Sequence, residues 1–171
     1  MVIWLIGMSG AGKTSIGKEV YRLLKAKRPN VVFLDGDAIR HVMGNDLGHT
    51  IEDRKVNADR ICRFCKFLDD QRIDTVCAVL SIFHESQQWN RKNIQRYFEV
   101  YIRVPSGILL ARNPKGLYRQ ALDGKTKNVV GVDIPFSEPE NPDLIIDNIA
   151  DVNSFEGIAK QILNTIPWEN Y

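Results

Sequence analysis

The sequence predicts an α/β fold: a central parallel sheet of about five strands with helices on both faces, a three-layer sandwich. Three observations carry the prediction. Short apolar runs at 2–6, 31–34, 75–81, 98–104 and 144–147 read as buried strands. Longer helical stretches lie between them, and strands alternating with helices imply parallel pairing. The first strand is joined to the first helix by Gly7-Met8-Ser9-Gly10-Ala11-Gly12-Lys13-Thr14, which fits the pattern G-x-x-x-x-G-K-[ST].

Taken in order, the first helix begins at Lys13 and shows Ile16, Val20, Leu23 and Leu24 at spacings of three and four. Pro29-Asn30 ends it, and the second strand runs into Asp35-Gly36-Asp37, a carboxylate pair on a turn. A short helix continues through Arg40 to Met43. Residues 44–50 are loop, and Thr50 is placed to cap a long helix over about 51–71. A helix-compatible stretch over 84–97 separates the third and fourth strands, and Pro105-Ser106 opens another short helix ending near Arg112. Residues 113–143 are irregular and rich in Gly, Pro, Lys and Asn. A segment this long inside a compact domain usually serves as a lid or a binding element. A last strand and an amphipathic helix over 152–166 close the chain. No repeat or linker is visible, so residues 1–171 read as one domain.

Composition narrows the function classes. The chain has 171 residues, 44% hydrophobic and 26% charged, as in an ordinary globular protein. A net charge of +2 gives no bulk attraction to nucleic acid or membrane, so anion binding must be local. No apolar stretch reaches membrane-span length and no signal-peptide pattern is present; the expected compartment is the cytoplasm. The three cysteines are too few for a disulfide scaffold, and Cys62-x-x-Cys65 lies inside a helical pattern, where both read as helix residues. His41, His49 and His84 lack metal-ligand spacing.

The glycine-rich loop carries the chemistry. Its backbone N–H groups can converge on phosphate oxygens beside the positive end of the first helix. Lys13 can reach the outer phosphates and the Thr14 hydroxyl can ligate Mg²⁺. Ligands of such sheets bind beyond the carboxyl ends of the strands, which gathers the loop, Asp35, Asp37 and Ser81 at one rim. Phosphoryl transfer needs Mg²⁺, cationic charge on the moving phosphate and an oriented acceptor. Asp35 and Asp37 are candidates for holding Mg²⁺ and for accepting the acceptor hydroxyl's proton. Arg40 follows Asp37 by three residues and shares its helical face, an arrangement that suits an anionic acceptor. Arg54 and Asn57, with Arg60 a turn on, form one polar stripe on the long helix. Lys115, Arg119, Lys125 and Lys127 would make the irregular segment a cationic lid over triphosphate. These parts point to a P-loop kinase; a metabolite kinase of another class and a non-enzymatic nucleotide-binding module are the competing readings.

With these residues in view, the chain resembles the adenylylsulfate (APS) kinases from Val2 to about Asp147. The matching stretches are the P-loop octet, 34–41, Asp46-Leu47-Gly48, 53–57, 111–118, Lys127-Asn128, Gly131-Val132-Asp133 and 138–142. The resemblance implies transfer of the ATP γ-phosphate to the ribose 3′-hydroxyl of a 5′-nucleotide, with ATP and Mg²⁺ as cofactors and a small-molecule nucleotide as partner. A homodimer is compatible with it. It implies that Gly7, Ser9, Gly10, Ala11, Gly12, Lys13, Thr14 and Ser15 hold ATP with Arg112 and Lys115, and that Lys13 and Asp37 are catalytic. Thr14, Asp35 and Asp37 would hold the metal. Asp35, Asp37, Arg40, His49, Arg54, Asn57, Ser81, Lys127 and Val129 would form the acceptor side.

Departures from the family pattern lie on that acceptor side. The family usually sandwiches the acceptor's adenine between two aromatic rings, and those positions here hold His49 and Val129. Stacking contributes on the order of 1–3 kcal/mol per base, so the base site has been rebuilt. A strand-end Ile-Ser-Pro-Tyr-Arg becomes Leu80-Ser81-Ile82-Phe83-His84, and Asp59 stands where arginine is usual. Two acceptors therefore stay open: adenylylsulfate itself, or a non-adenine nucleotide such as cytidine diphosphoramidate, used in bacterial capsule phosphoramidate synthesis.

Overall fold

The computed structural model describes residues 1–112, 116–149 and 155–170. Its strands are β1 (Val2–Ile6), β2 (Val31–Asp35), β3 (Asp74–Val79), β4 (Tyr97–Arg103) and β5 (Leu144–Asp147). All pair in parallel in the order β2-β3-β1-β4-β5. Seven α-helices accompany them among the described residues: α1 (Lys13–Lys25), α2 (Gly36–Val42), α3 (Ile51–Asp70), α4 (His84–Asn93), α5 (Ser106–Arg112), α6 (Leu117–Leu122) and α7 (Glu156–Thr165).

The period-two alternation of β1 shows how the sheet is covered on both faces. Ile3 and Leu5 join one apolar cluster with Ile16, Val20, Phe98, Val100 and Ile162, under α1 and α7. Val2, Trp4 and Ile6 point the other way, into a cluster with Ile61, Cys62, Cys65, Cys77 and Val79, under α3. Every residue of β1 is buried, as is every residue of its neighbour β3, so the strand preceding the glycine-rich loop is firmly anchored. Cys62 and Cys65 are buried free thiols on α3, and desolvation pushes the Cys62 thiol up to about 12.

Local chemistry explains the element ends. Thr50 caps α3 as expected, its hydroxyl accepting from the Asp53 N–H at 3.2 Å. Asp35 is both the last residue of β2 and the cap of α2, accepting from the Asp37 and Ala38 N–H groups. The Asp35-Gly36-Asp37 turn is thus the first turn of a helix. One expectation is corrected: the irregular segment contains α6, and Val130 and Ile134 form an isolated parallel bridge within it. Gly116, in the left-handed region at φ 72, precedes α6 and let its one-and-a-half turns escape notice between glycines. The expected closing helix is described from Glu156 onward. No helix among the described residues is long and apolar enough to cross a membrane.

Candidate active site

Two adjoining cavities open at the carboxyl ends of β1, β2 and β3. The larger, about 700 Å³, is lined by Ser9, Gly10, Gly12, Lys13, Thr14 and Ser15 of the loop, by Asp35 and Asp37, and by the segment 126–130. The smaller, about 90 Å³, reaches inward to Trp4, Asn57, Ala58, Ile61, Ser81 and Phe83. Gly36, Asp37, Arg40, His49 and Arg54 border both. Asp37 therefore stands where the two cavities meet.

The donor side is built from one stretch of backbone. Gly10 at φ 80 and Gly12 at φ 93 take left-handed conformations that fold the loop over the start of α1. Gly7 and Ala11 line neither cavity. A Cβ on Gly7 would sit 2.6 Å from the Ile102 carbonyl oxygen, and Ala11 is wholly buried, its carbonyl held by Asn148 Nδ2 at 2.9 Å. These two seat the loop on the sheet. Arg112 donates from underneath to the Gly10 and Asn148 carbonyls at 3.4 and 3.1 Å. Lys13 Nζ rests on the Met8 carbonyl at 2.9 Å; burial lowers it to about 8, against the opposing pull of Asp35 and Asp37. Thr14 Oγ1 donates to Asp35 Oδ2 at 2.7 Å. A hydroxyl paired with a carboxylate, a second carboxylate nearby and open space for phosphate suit Mg²⁺, which keeps waters and binds through one or two carboxylates.

The acceptor side is assembled from distant segments. Arg40 on α2 donates to the Gly48 carbonyl at 2.6 Å and to that of Leu47 at 3.3 Å. Arg54 on α3 donates from Nε to the His49 carbonyl at 2.9 Å and from Nη2 to the Asn128 carbonyl at 2.8 Å. Asp133 accepts from the Asn128 and Val129 N–H groups at 2.5 Å each, closing a tight loop at that point. The two arginines thus tie the 44–50 loop to its neighbours, and among the described residues Arg40 Nε is buried without a partner. Asn57, 7% exposed, likewise has no partner for Oδ1 among the described residues. His49 is held below its usual pKa by partial burial and by the Arg54 and Arg40 charges, so its ring is neutral at neutral pH.

Most predicted residues come together here, with some revisions. Ser81 lines the recess at φ 47, its hydroxyl accepting from Trp4 Nε1 at 3.3 Å and its carbonyl from Gln87 Nε2 at 3.0 Å. Lys127 lines the large chamber. Val129 does too, but it is only 3% exposed and packs in the core beside Tyr118. Arg60 leaves the expected stripe and binds Asp46 through both carboxylate oxygens, at 2.8 and 2.6 Å. Lys125 turns to Asp123 at 3.3 Å. Lys115 lies outside the described residues. Sequence reasoning gave no role to Tyr118, whose hydroxyl donates to the Ser9 carbonyl at 2.7 Å, to Asp133, or to Asn148. Their partners are 109, 5 and 137 positions away, and only the Asp133 contact was within reach of local pattern.

Comparison with known proteins agrees with this geometry. The model of the adenylylsulphate kinase family matches residues 1–147. The chain belongs to that family. It is accordingly a kinase, a phosphotransferase acting on a hydroxyl group. A cytidine diphosphoramidate kinase of Campylobacter jejuni is 43% identical over 150 residues, covering 86% of this chain and 85% of that protein. An adenylyl-sulfate kinase of Halothermothrix orenii is 36% identical over 171 residues, covering 100% of this chain and 91% of that protein. Among solved structures, the Mycobacterium tuberculosis APS kinase in complex with AMPPNP and APS superposes with a TM-score of 0.85 at 32% identity, covering 96% of this chain and 95% of that one.

Proposed function

We propose that this family member transfers the γ-phosphate of ATP to the ribose 3′-hydroxyl of a 5′-nucleotide bearing an anhydride-linked acidic group. The observation that carries the proposal is the position of Asp37, shared by the triphosphate-sized chamber and the recess bordered by Arg40, Arg54 and Asn57. The loop N–H groups and Lys13 hold the triphosphate, with Arg112 bracing the loop behind them. Lys13 exchanges its internal contact with Met8 for the β- and γ-phosphates. Thr14 and Asp35 would hold Mg²⁺, which supplies charge neutralisation at the phosphates. Arg40, Arg54 and Asn57 fix the acceptor's anhydride, so that its 3′-hydroxyl faces Asp37. Asp37 takes the hydroxyl proton as the oxygen bonds to the γ-phosphorus and the bond to the β-phosphate oxygen breaks, releasing ADP. Residues 1–171 would act as one domain, with the segment 116–134 as the wall that closes on both substrates.

The chamber favours a non-adenine acceptor, cytidine diphosphoramidate being the candidate. The large chamber's lining includes no phenylalanine, tyrosine or tryptophan among the described residues, and His49 is its one ring; Trp4 and Phe83 line the smaller recess, on the side of Arg40, Arg54 and Asn57. The absence of a ring pair around the large chamber supports a non-adenine base held there. ADP release coupled to NADH oxidation, measured with APS, cytidine diphosphoramidate, AMP, CMP and gluconate, tests both levels. Preference for cytidine diphosphoramidate supports the reading. Preference for APS moves the acceptor back to adenine, and preference for gluconate or a plain monophosphate removes the anhydride.

A further inference from the structure

A base held in the large chamber meets no benzenoid ring among the described residues, so hydrogen bonds carry its recognition, and one residue outside every motif is set up to supply one. Asn45 lines the large chamber together with His49. Gly44 at φ 89 and Asn45 at φ 53 are consecutive left-handed residues that reverse the chain after α2. Asparagine tolerates that conformation better than most side chains, and its N–H is anchored on the Arg40 carbonyl at 3.0 Å. Its amide is oriented as well as placed. Asn45 Nδ2 lies 3.1 Å from His41 Nδ1, so the amide nitrogen faces the imidazole and Oδ1 is left without a partner among the described residues. In the same chamber, Thr126 Oγ1 donates to Gln120 Oε1 at 3.2 Å; the unpartnered Asn57 Oδ1 lies in the recess that would take the anhydride.

We propose that Asn45, oriented by His41, is a specificity-determining residue that reads an exocyclic amine on the acceptor base. A free amide oxygen accepts from the 4-amino group of cytosine or the 6-amino group of adenine, and opposes the keto oxygen of uracil or hypoxanthine. Asn45 is exposed, and a hydrogen-bonding site that the bound base covers rejects the analogue that lacks the matching group more strongly than an apolar pocket rejects a change of size. The amide geometry therefore selects amino over keto bases, while the overall shape of the pocket selects between pyrimidine and purine. His41 acts through Asn45: without it, the amide can turn its nitrogen outward and accommodate a keto oxygen.

The inference rests on the nucleotide-acceptor reading above, and matched pairs separate the two. Turnover is measured on cytidine and uridine diphosphoramidates and on the phosphosulfates of adenosine and inosine. The expected result is a preference of at least about tenfold in kcat/KM for the amino member of whichever pair is used. Asn45→Ala should bring that ratio close to one, with the KM for ATP unchanged. Asn45→Asp, which keeps an acceptor oxygen, should retain the preference. His41→Leu should narrow it while leaving kcat on the amino acceptor near that of the parent. An equal rate on both members of the pair, or an unaltered ratio in Asn45→Ala, overturns the role of Asn45 alone. Absence of turnover on all four nucleotides overturns the acceptor reading and this inference with it.

Discussion

The two halves of the site are built on different principles. The donor half comes from nine consecutive positions, 7–15, wedged between a fully buried strand and the helix it feeds. The acceptor half is drawn from α2, the 44–50 loop, α3 and the segment 126–134, and is joined by long-range bonds such as Arg54 to Asn128. A change in the donor loop disturbs the packing beneath it: a Cβ on Gly12 would meet Asn148 Nδ2 at 2.8 Å, and one on Gly7 would meet the Ile102 backbone. A change at His49 disturbs an exposed loop position held mainly through its backbone carbonyl. The lesson is that the acceptor can be exchanged in evolution at little cost to folding, whereas the phosphate grip cannot.

Predictions that would break or sharpen this contrast run from the hinge of the site outward. Asp37 belongs to both halves. Asp37→Asn should lower kcat by about 10²–10⁴-fold while ATP affinity, measured by titration calorimetry, changes far less. Normal turnover in that variant would remove Asp37 from the chemistry. Arg54→Ala removes a charged donor and frees both His49 and Asn128. The KM for the acceptor should rise by about 10–100-fold with the KM for ATP within about threefold, and equal effects on both would show that the halves are not separable.

The donor half carries its own pH signature. Burial lowers Lys13 to about 8, and the negative charge of a triphosphate would favour its protonated form. Below pH 8 the charge is already present. Above it, binding must take up a proton, so ATP affinity should fall by about tenfold per pH unit until the complex itself titrates. An affinity that is flat between pH 8 and 9.5 would contradict the lowered lysine.

The acceptor half should respond to single rings. His49→Phe should raise affinity for APS relative to cytidine diphosphoramidate, by up to about tenfold, as read by competition binding. The second ring cannot simply be restored. Val129 is buried in the core, so Val129→Phe should cost about 1–3 kcal/mol of stability in denaturant unfolding. A stable Val129→Phe protein would show that this wall is looser than its packing indicates. The smallest effect falls at the seam: Tyr118→Phe removes one bond to the Ser9 carbonyl, and a modest rise in the KM of both substrates, about threefold, is expected.

The primary structure was enough for the fold class and for placing the glycine-rich loop between β1 and α1. A buried strand, left-handed glycines, a lysine and a hydroxyl at set spacing are local properties, and backbone sterics alone place them at a helix start. The five parallel strands followed from apolar runs alternating with helical periods, and Thr50 could be recognised as the cap of its helix. The rest was settled by tertiary contact. Pattern could not show that Arg60 would be claimed by Asp46, that Val129 would sink into the core, or that α6 would form between glycines. Nor could it show that Tyr118 and Asn148 would brace the loop from 109 and 137 residues away. A side chain's role there depends on which partner reaches it first in space, and helix or strand periodicity carries no information about that distance.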